Sequence, residues 1–121
     1  FGDGSQSRCF THVTDVTGAL YNLSQTEEGI GKVFNIGSDT EITISELAKK
    51  VKVMTASQSE IQLVPYEEAY QEGFEDMPRR VPDISRIQQL IDYRPTYSID
   101  EIIQSVIDYQ SSLLKGRPDS E

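Results

Sequence analysis

Short apolar runs typical of β-strands alternate with amphipathic helical segments along this chain of 121 residues. Only three such strands can be identified; they cover residues 9–13, 33–36 and 60–66, and Pro65 ends the last of them. Three strands with such long separations are too few to form a parallel sheet that helices cover on both faces. The sequence therefore predicts an α/β fold whose sheet is incomplete and forms the edge of something larger.

Four helices are predicted from apolar residues that recur at helical spacing. The first has Thr14 as its N-cap and Asp15 in its first turn. Two others open with capping boxes at residues 43–46 and 98–101, and Asp83 caps the remaining one. The predicted buried stripes are Val16, Ala19, Leu20 and Leu23; Ile44, Leu47, Ala48 and Val51; Ile84, Ile87, Leu90 and Ile91; and Ile99, Ile102, Ile103, Val106, Ile107, Leu113 and Leu114.

The length corresponds to one domain, which we place at residues 1–114, followed by a polar tail at residues 115–121. The segment between the third strand and the third helix lacks clean periodicity and contains Gly73 and Pro78. This pattern predicts an ordered loop, with one helical turn at residues 67–70.

Composition and charge exclude several classes of partner. The net charge of -9 argues against binding to nucleic acid or to an anionic membrane, both of which require a basic face. No apolar run approaches the roughly 20 residues of a membrane span, and no signal-peptide pattern opens the chain. The single cysteine can form neither an internal disulfide nor a metal site, so we expect a reducing, cytoplasmic location.

Residues suited to catalysis are scarce. His12 lies in a predicted strand with no nucleophile near it in the sequence, so a half-buried structural role is favoured over a catalytic one. Cys9 adjoins Phe10 in an apolar run, which favours an inert core thiol over a nucleophile. The remaining candidates form an acidic run that is typical of a solvated face: Glu67, Glu68, Glu72, Glu75 and Asp76.

Three arginines lie beside turns at the ends of predicted elements, where ligand sites gather. Arg8 follows a glycine-bracketed turn, while Arg79 and Arg80 lie in a proline-bracketed loop before the helix that starts near Asp83. Two converging guanidinium groups can bind a diphosphate bidentately, and the carboxylate can accept hydrogen bonds from a sugar hydroxyl. The alternative is that the paired arginines only neutralise the acidic run before them and that Asp83 only caps a helix. Composition and spacing leave both interpretations open.

Three motifs in sequence order carry a family resemblance. The stretch FGDGSQSRCFTHVTDVTGAL combines a glycine turn, a polar residue, an arginine, an aromatic residue and Val-x-Asp. A strand and helix follow in GKVFNIGSDTEITISELAKKV, and DMPRRVPDISRIQQLIDYRPTYSIDEII closes the series with Arg-Arg, Pro-Asp and aromatic-x-Pro. Together they resemble the second half of extended short-chain dehydrogenases/reductases that act on nucleotide sugars. This NAD-dependent epimerase/dehydratase family includes UDP-glucose 4-epimerases, dTDP-glucose 4,6-dehydratases and UDP-glucuronate decarboxylases.

The resemblance implies a substrate-binding role for several residues. Arg8 and Arg80 match the residues that clamp the diphosphate of a UDP- or dTDP-linked sugar. Asp83 matches a contact to the nucleotide ribose, Gln6 lies where family members touch the nucleotide, and Phe10 aligns with an aromatic residue that lines the same pocket.

The sequence departs from the family in its catalytic parts. It contains neither the Gly-x-x-Gly-x-x-Gly loop that binds NAD nor the Tyr-x-x-x-Lys pair that moves the substrate proton. The resemblance therefore implies the C-terminal substrate-binding portion of an extended Rossmann-type enzyme, a piece of a longer protein without catalytic, cofactor-binding or metal-binding residues of its own. NAD belongs to the intact enzyme, for which the resemblance implies a homodimer. The alternative is a free-standing, non-catalytic binding or protein-interaction module derived from that fold.

Overall fold

The architecture is α/β, with four helices and two short strands among the residues that the computed structural model describes, namely 2–65, 68 and 77–115. The strands are β1 (Ser7–Cys9) and β2 (Glu41–Thr43). The helices are α1 (Val13–Ser24), α2 (Ile44–Met54), α3 (Ser85–Ile91) and α4 (Ile99–Lys115), and a short 3-10 turn at Glu27–Gly29 follows α1.

The sheet differs from the predicted one. Strands β1 and β2 pair antiparallel, with Ser7 opposite Thr43 and Cys9 opposite Glu41. The first predicted strand, residues 9–13, overlaps β1 only at Cys9, and its last residue, Val13, is already the first residue of α1. Strand β2 was not predicted, since three residues are too few to show an alternating pattern. Its formation depends on β1, which supplies the hydrogen-bonding partner.

The other two predicted strands are wrong within the described residues, where neither 33–36 nor 60–65 is paired with another strand. Phe34 and Ile36 nevertheless pack against the core, while Val33 is 77% exposed, so side chains alternate between the core and solvent. No backbone group of residues 33–36 makes a backbone hydrogen bond in the described part of the chain. The local pattern of a strand is present there, and the neighbouring strand is not.

All four predicted helices are confirmed. The capping box of α2 is complete, with Glu46 N donating to Thr43 Oγ1 at 3.1 Å and Thr43 N donating to Glu46 Oε2 at 3.1 Å. Ser98 and Glu101 make the equivalent contacts before α4.

Two predicted N-caps are wrong, and one of them is Asp83, because the N-cap of α3 is Ile84. The N-cap of α1 is His12 and not Thr14, because the imidazole Nδ1 accepts a hydrogen bond from Thr14 N at 3.2 Å. The His12 ring also stacks on Tyr97, with ring centroids 4.0 Å apart. His12 therefore has a structural role, although it lies at a helix start and not in a strand.

The core is small and lies between α1, α3 and the start of the segment that leads to α4. Its buried residues are Ala19, Ile84, Ile87 and Tyr93. The predicted stripes are confirmed where they meet this cluster and wrong where nothing in the described residues covers them: Leu20, Val106, Leu113 and Leu114 are at least half exposed. Helical spacing identifies an apolar face but not the element that packs against it.

No helix among the described residues combines the length and the hydropathy needed to cross a membrane. Apart from position 68, the helical turn predicted at residues 67–70 lies outside the described residues, as does most of the acidic run. The polar tail also lies outside them beyond Lys115, where α4 ends, so the domain boundary at 114 stays a prediction.

Candidate functional site

A cavity of about 510 Å3 lies where β1, residues 35–38 and the segment before α3 meet. Three of the four predicted site residues, Arg8, Arg80 and Asp83, contribute to its lining. The fold therefore brings together two cationic side chains that are far apart in the sequence.

Arg8 is held at this cavity by backbone carbonyl groups. Its Nη1 atom donates to Ser7 O at 2.7 Å and to Met77 O at 2.9 Å. The second bond ties β1 to the segment that carries the paired arginines. Both bonds use the same nitrogen of the guanidinium group, so the side chain is anchored through one of its ends.

Arg80 reaches the cavity through the pairing of its neighbours with β1. Ser7 N donates to Pro78 O at 2.9 Å, and Arg79 forms a parallel bridge with Ser7. Arg80 follows directly and is exposed; within the described residues its side chain makes no hydrogen bond or ion pair.

The guanidinium of Arg79 is occupied. It donates through Nε and Nη2 to the Glu41 carboxylate, with Nη2 to Oε1 at 2.6 Å. Arg79 is absent from the cavity lining, so the two members of the pair have different environments.

Asp83 is fixed at the start of α3. Its Oδ1 accepts a hydrogen bond from Ser85 N at 2.9 Å, and hydrogen bonds from Ser85 lower the pKa of the carboxyl group. The predicted capping role is nevertheless wrong, because the N-cap of α3 is Ile84 and Asp83 lies one residue before it. Asn35 Nδ2 donates to the Asp83 carbonyl at 3.1 Å and so joins residues 35–38 to the same segment. The cavity therefore contains one carboxylate that stays ionised at neutral pH.

Gly37 lines the cavity at a position where a side chain would have close neighbours. A Cβ atom at Gly37 would lie 3.3 Å from Pro82 Cγ and 3.6 Å from Thr11 Oγ1. Thr11 Oγ1 accepts a hydrogen bond from Ser38 N at 2.8 Å, which closes the loop against the end of β1. Sequence reasoning missed Thr11, Asn35 and Gly37 as part of this site. The glycine and serine directly after the apolar run 33–36 were the available signal.

Two residues that the resemblance assigns to the nucleotide pocket do not line this cavity. Gln6 is not part of the cavity lining, and its carbonyl accepts a hydrogen bond from Ile44 N at 3.0 Å. Phe10 lines a separate cavity of about 770 Å3 together with Tyr97 and Lys50. Cys9, in contrast, does line the smaller cavity, and burial raises the pKa of its thiol, consistent with the expected inert role.

The larger cavity carries several charged groups, but three of them have local partners, and Glu41 is one of these through its ion pair with Arg79. Lys50 Nζ lies 2.6 Å from Asp100 Oδ1, and Glu46 is committed to the capping box of α2. The smaller cavity, which is lined by two arginines and one aspartate, is better suited to a ligand that combines a polyanion with hydroxyl groups.

Comparison with known proteins gives consistent matches. The family model for GDP-mannose 4,6 dehydratase matches residues 1–106. The chain is 36% identical over 109 residues to a UDP-N-acetyl-alpha-D-glucosaminuronate decarboxylase from Bacillus cytotoxicus, a match that covers 90% of this chain and 34% of that protein.

Solved structures give the same result for the fold. UDP-glucose 4-epimerase from Thermotoga maritima, solved with UDP-glucose, matches with a TM-score of 0.79 at 29% identity and covers 94% of this chain and 34% of that one. UDP-glucuronic acid 4-epimerase from Bacillus cereus, solved with UDP-glucuronic acid and NAD, matches with a TM-score of 0.75 at 26% identity, with 93% and 34% covered. The chain thus spans about a third of the length of these relatives.

Proposed function

Because the chain belongs to the GDP-mannose 4,6-dehydratase family of NAD-dependent epimerases and dehydratases, we propose that it is the C-terminal, nucleotide-sugar-binding part of such an enzyme. In this proposal Arg8 and Arg80 hold the diphosphate of a UDP- or dTDP-linked sugar. Asp83 accepts a hydrogen bond from the nucleotide ribose, and Gln6 contacts the nucleotide.

The observation that supports the proposal best is the convergence of Arg8 and Arg80 on one cavity of about 510 Å3. Ligand cavities commonly have volumes of roughly 300 to 1,000 Å3. The chain as a whole carries a net charge of -9, so a diphosphate needs a local concentration of positive charge to bind. Two guanidinium groups can each present a planar pair of donors to the phosphate oxygens.

The ionised Asp83 carboxylate adds selectivity to such a site. It accepts hydrogen bonds and repels anions, so it suits a hydroxyl group beside the diphosphate and disfavours a further phosphate at that point. The hydrogen bond from Ser85 N to Oδ1 fixes the orientation of this carboxylate just before α3.

The residues of this chain do not fit an NAD site in the described part. The glycine-bracketed turn before β1 is packed against α2: Gly4 O accepts from Ser45 N at 2.9 Å, and a Cβ atom at Gly4 would lie 3.1 Å from Ser45 Cβ. A dinucleotide loop instead leaves its backbone donors open to the pyrophosphate. We therefore assign NAD to the part of the longer relatives that this chain does not span, and we expect the 121-residue chain to show no turnover. Interconversion of any nucleotide sugar by this chain with added NAD would contradict that expectation.

Titration of the chain with UDP tests the proposed site. Replacement of Arg80 by Ala is expected to weaken UDP binding by about 1.5 to 3 kcal/mol, roughly 10- to 150-fold, because one charge-assisted contact to phosphate is lost. Arg94→Ala is the matched control, since Arg94 is an exposed arginine paired with Asp92 and does not line the cavity. Equal affinities for the Arg80 and Arg94 variants, measured by calorimetry, would refute the diphosphate role.

A protein-interaction module is the second candidate function, and the exposed face of α1 supports it. Val13, Leu20 and Tyr21 are 67%, 53% and 67% exposed, and exposed apolar clusters mark contact surfaces. A chain that fails to bind UDP and instead self-associates, as measured by light scattering, would favour this candidate.

A further inference from the structure

The segment that carries Arg80 is attached to the hairpin by the ion pair of Glu41 and Arg79. Both Nε and Nη2 of Arg79 donate to the Glu41 carboxylate, at distances between 2.6 and 3.1 Å. Ser7 Oγ donates to the same carboxylate at 2.7 Å. Glu41 thus connects β2, β1 and the arginine segment through one side chain.

Backbone geometry then determines where Arg80 points. Arg79 is paired with Ser7 in a parallel bridge, and successive side chains along an extended segment project to opposite sides. When Arg79 is held against Glu41, Arg80 is directed to the other side, and there it lines the cavity with Arg8. The contact of Arg8 Nη1 with Met77 O holds the same segment from its preceding end.

We propose that Glu41 and Arg79 are positioning residues, which keep the Arg80 guanidinium at the cavity for an anionic ligand. This inference rests on the proposed diphosphate site and extends it to two residues that do not contact the ligand. It also gives the two neighbouring arginines separate tasks: Arg79 orients the segment and Arg80 binds.

The pair is suited to orientation more than to stability. The side chains of Arg79 and Glu41 are 69% and 30% exposed, and exposed ion pairs contribute little to the free energy of unfolding. The bidentate geometry nevertheless restricts the angle between the two groups, which a single contact would not do. Loss of the pair should therefore affect ligand binding more than thermal stability.

A double-mutant cycle with UDP as the probe tests the inference. Glu41→Gln is expected to lower UDP affinity about fivefold in a chain that contains Arg80, and to lower it no further in the Arg80→Ala background. Both variants should unfold at temperatures close to that of the unaltered chain. Asp92→Asn is the control, because it removes another exposed ion pair, that with Arg94, away from this cavity.

Two further variants keep the test decisive if Glu41→Gln folds poorly. Arg79→Lys preserves the charge but not the planar fork, and it should weaken UDP binding to a smaller extent. The reversed pair, Glu41→Arg with Arg79→Glu, should restore part of the affinity.

Each result distinguishes the inference from the proposed function. Affinity that falls with Arg80→Ala but not with Glu41→Gln overturns the positioning role alone, as does an equal loss from Glu41→Gln in both backgrounds. Absence of UDP binding by the unaltered chain overturns the diphosphate site, and the positioning role with it.

Discussion

The Asp15 carboxylate accepts a hydrogen bond from Thr96 Oγ1 at 2.6 Å, although the two residues are 81 positions apart in the sequence. Thr96 N and Tyr97 N also donate to Asp15, at 3.1 and 3.4 Å. One side chain in the first turn of α1 therefore fixes the turn that leads into α4. The stack of His12 on Tyr97 lies directly beside this contact.

Replacement of Asp15 by Ala is expected to lower the free energy of unfolding by about 1.5 kcal/mol, because the backbone and hydroxyl donors of the turn lose a charged acceptor. Chemical denaturation measures the change. Asp39→Ala is the matched control: Asp39 is an exposed aspartate that accepts no hydrogen bond from the described residues. A similar decrease in the free energy of unfolding in both variants would show that removal of a negative charge, and not loss of the contact with Thr96, is responsible.

Acid should destabilise the protein partly through its two capping boxes. Hydrogen bonds from Thr43 lower the pKa of Glu46 below its ordinary value of 4.5, and hydrogen bonds from Ser98 do the same for Glu101. A carboxyl group whose pKa is lower in the folded state stabilises that state fully above its unfolded pKa, and the contribution is lost as the pH falls through the folded pKa. The melting temperature should therefore decline as the pH falls below about 5.

Glu46→Gln with Glu101→Gln should make this decline shallower, because glutamine keeps a capping oxygen but does not titrate. Melting curves over that pH range provide the measurement. Glu60→Gln serves as the control, since Glu60 is exposed and caps no helix in the described chain. An unchanged slope in the double variant would exclude the capping carboxylates as a source of the acid sensitivity.

Gly18 and Gly31 should respond in opposite ways to the same substitution. A Cβ atom would meet nothing within 4 Å at either position, but Gly31 has a φ of +72°, whereas Gly18 lies within α1. Gly18→Ala is expected to stabilise the protein by up to about 1 kcal/mol through helix propensity. Gly31→Ala is expected to destabilise it by about 1 to 2 kcal/mol, because a left-handed backbone is costly with a side chain. Denaturation curves of the two variants check the signs, and a shift of the same sign in both would contradict the argument.

The helices were predictable because their signals are local. The capping boxes at Thr43 and Ser98 depend on residues three positions apart, and the structure forms both. The error at the start of α1 has a local cause as well: Thr14 is the usual type of N-cap, but His12 occupies that position and supplies its own acceptor. Only the hydrogen bond from Thr14 N to His12 Nδ1, seen in the structure, identifies His12 and not Thr14 as the N-cap.

The strands were less predictable because a strand is defined by its partner. Residues 33–36 have the strand pattern without a paired neighbour in the described chain, while Glu41–Thr43 has a neighbour without a recognisable pattern. The same limit applies to the exposed apolar residues of α1 and α4, whose periodicity does not show what covers them.

The sequence by itself determined the four helices, two of their caps and the identity of the arginines, because helix formation and capping depend on contacts within a few residues. The tertiary structure decided which arginines line the same cavity. Pairing of β1 with the segment before α3 brings Arg80 to the cavity of Arg8 and directs Arg79 to Glu41. Neighbouring side chains on an extended backbone point to opposite sides, and only the packing of distant segments determines which side faces the cavity.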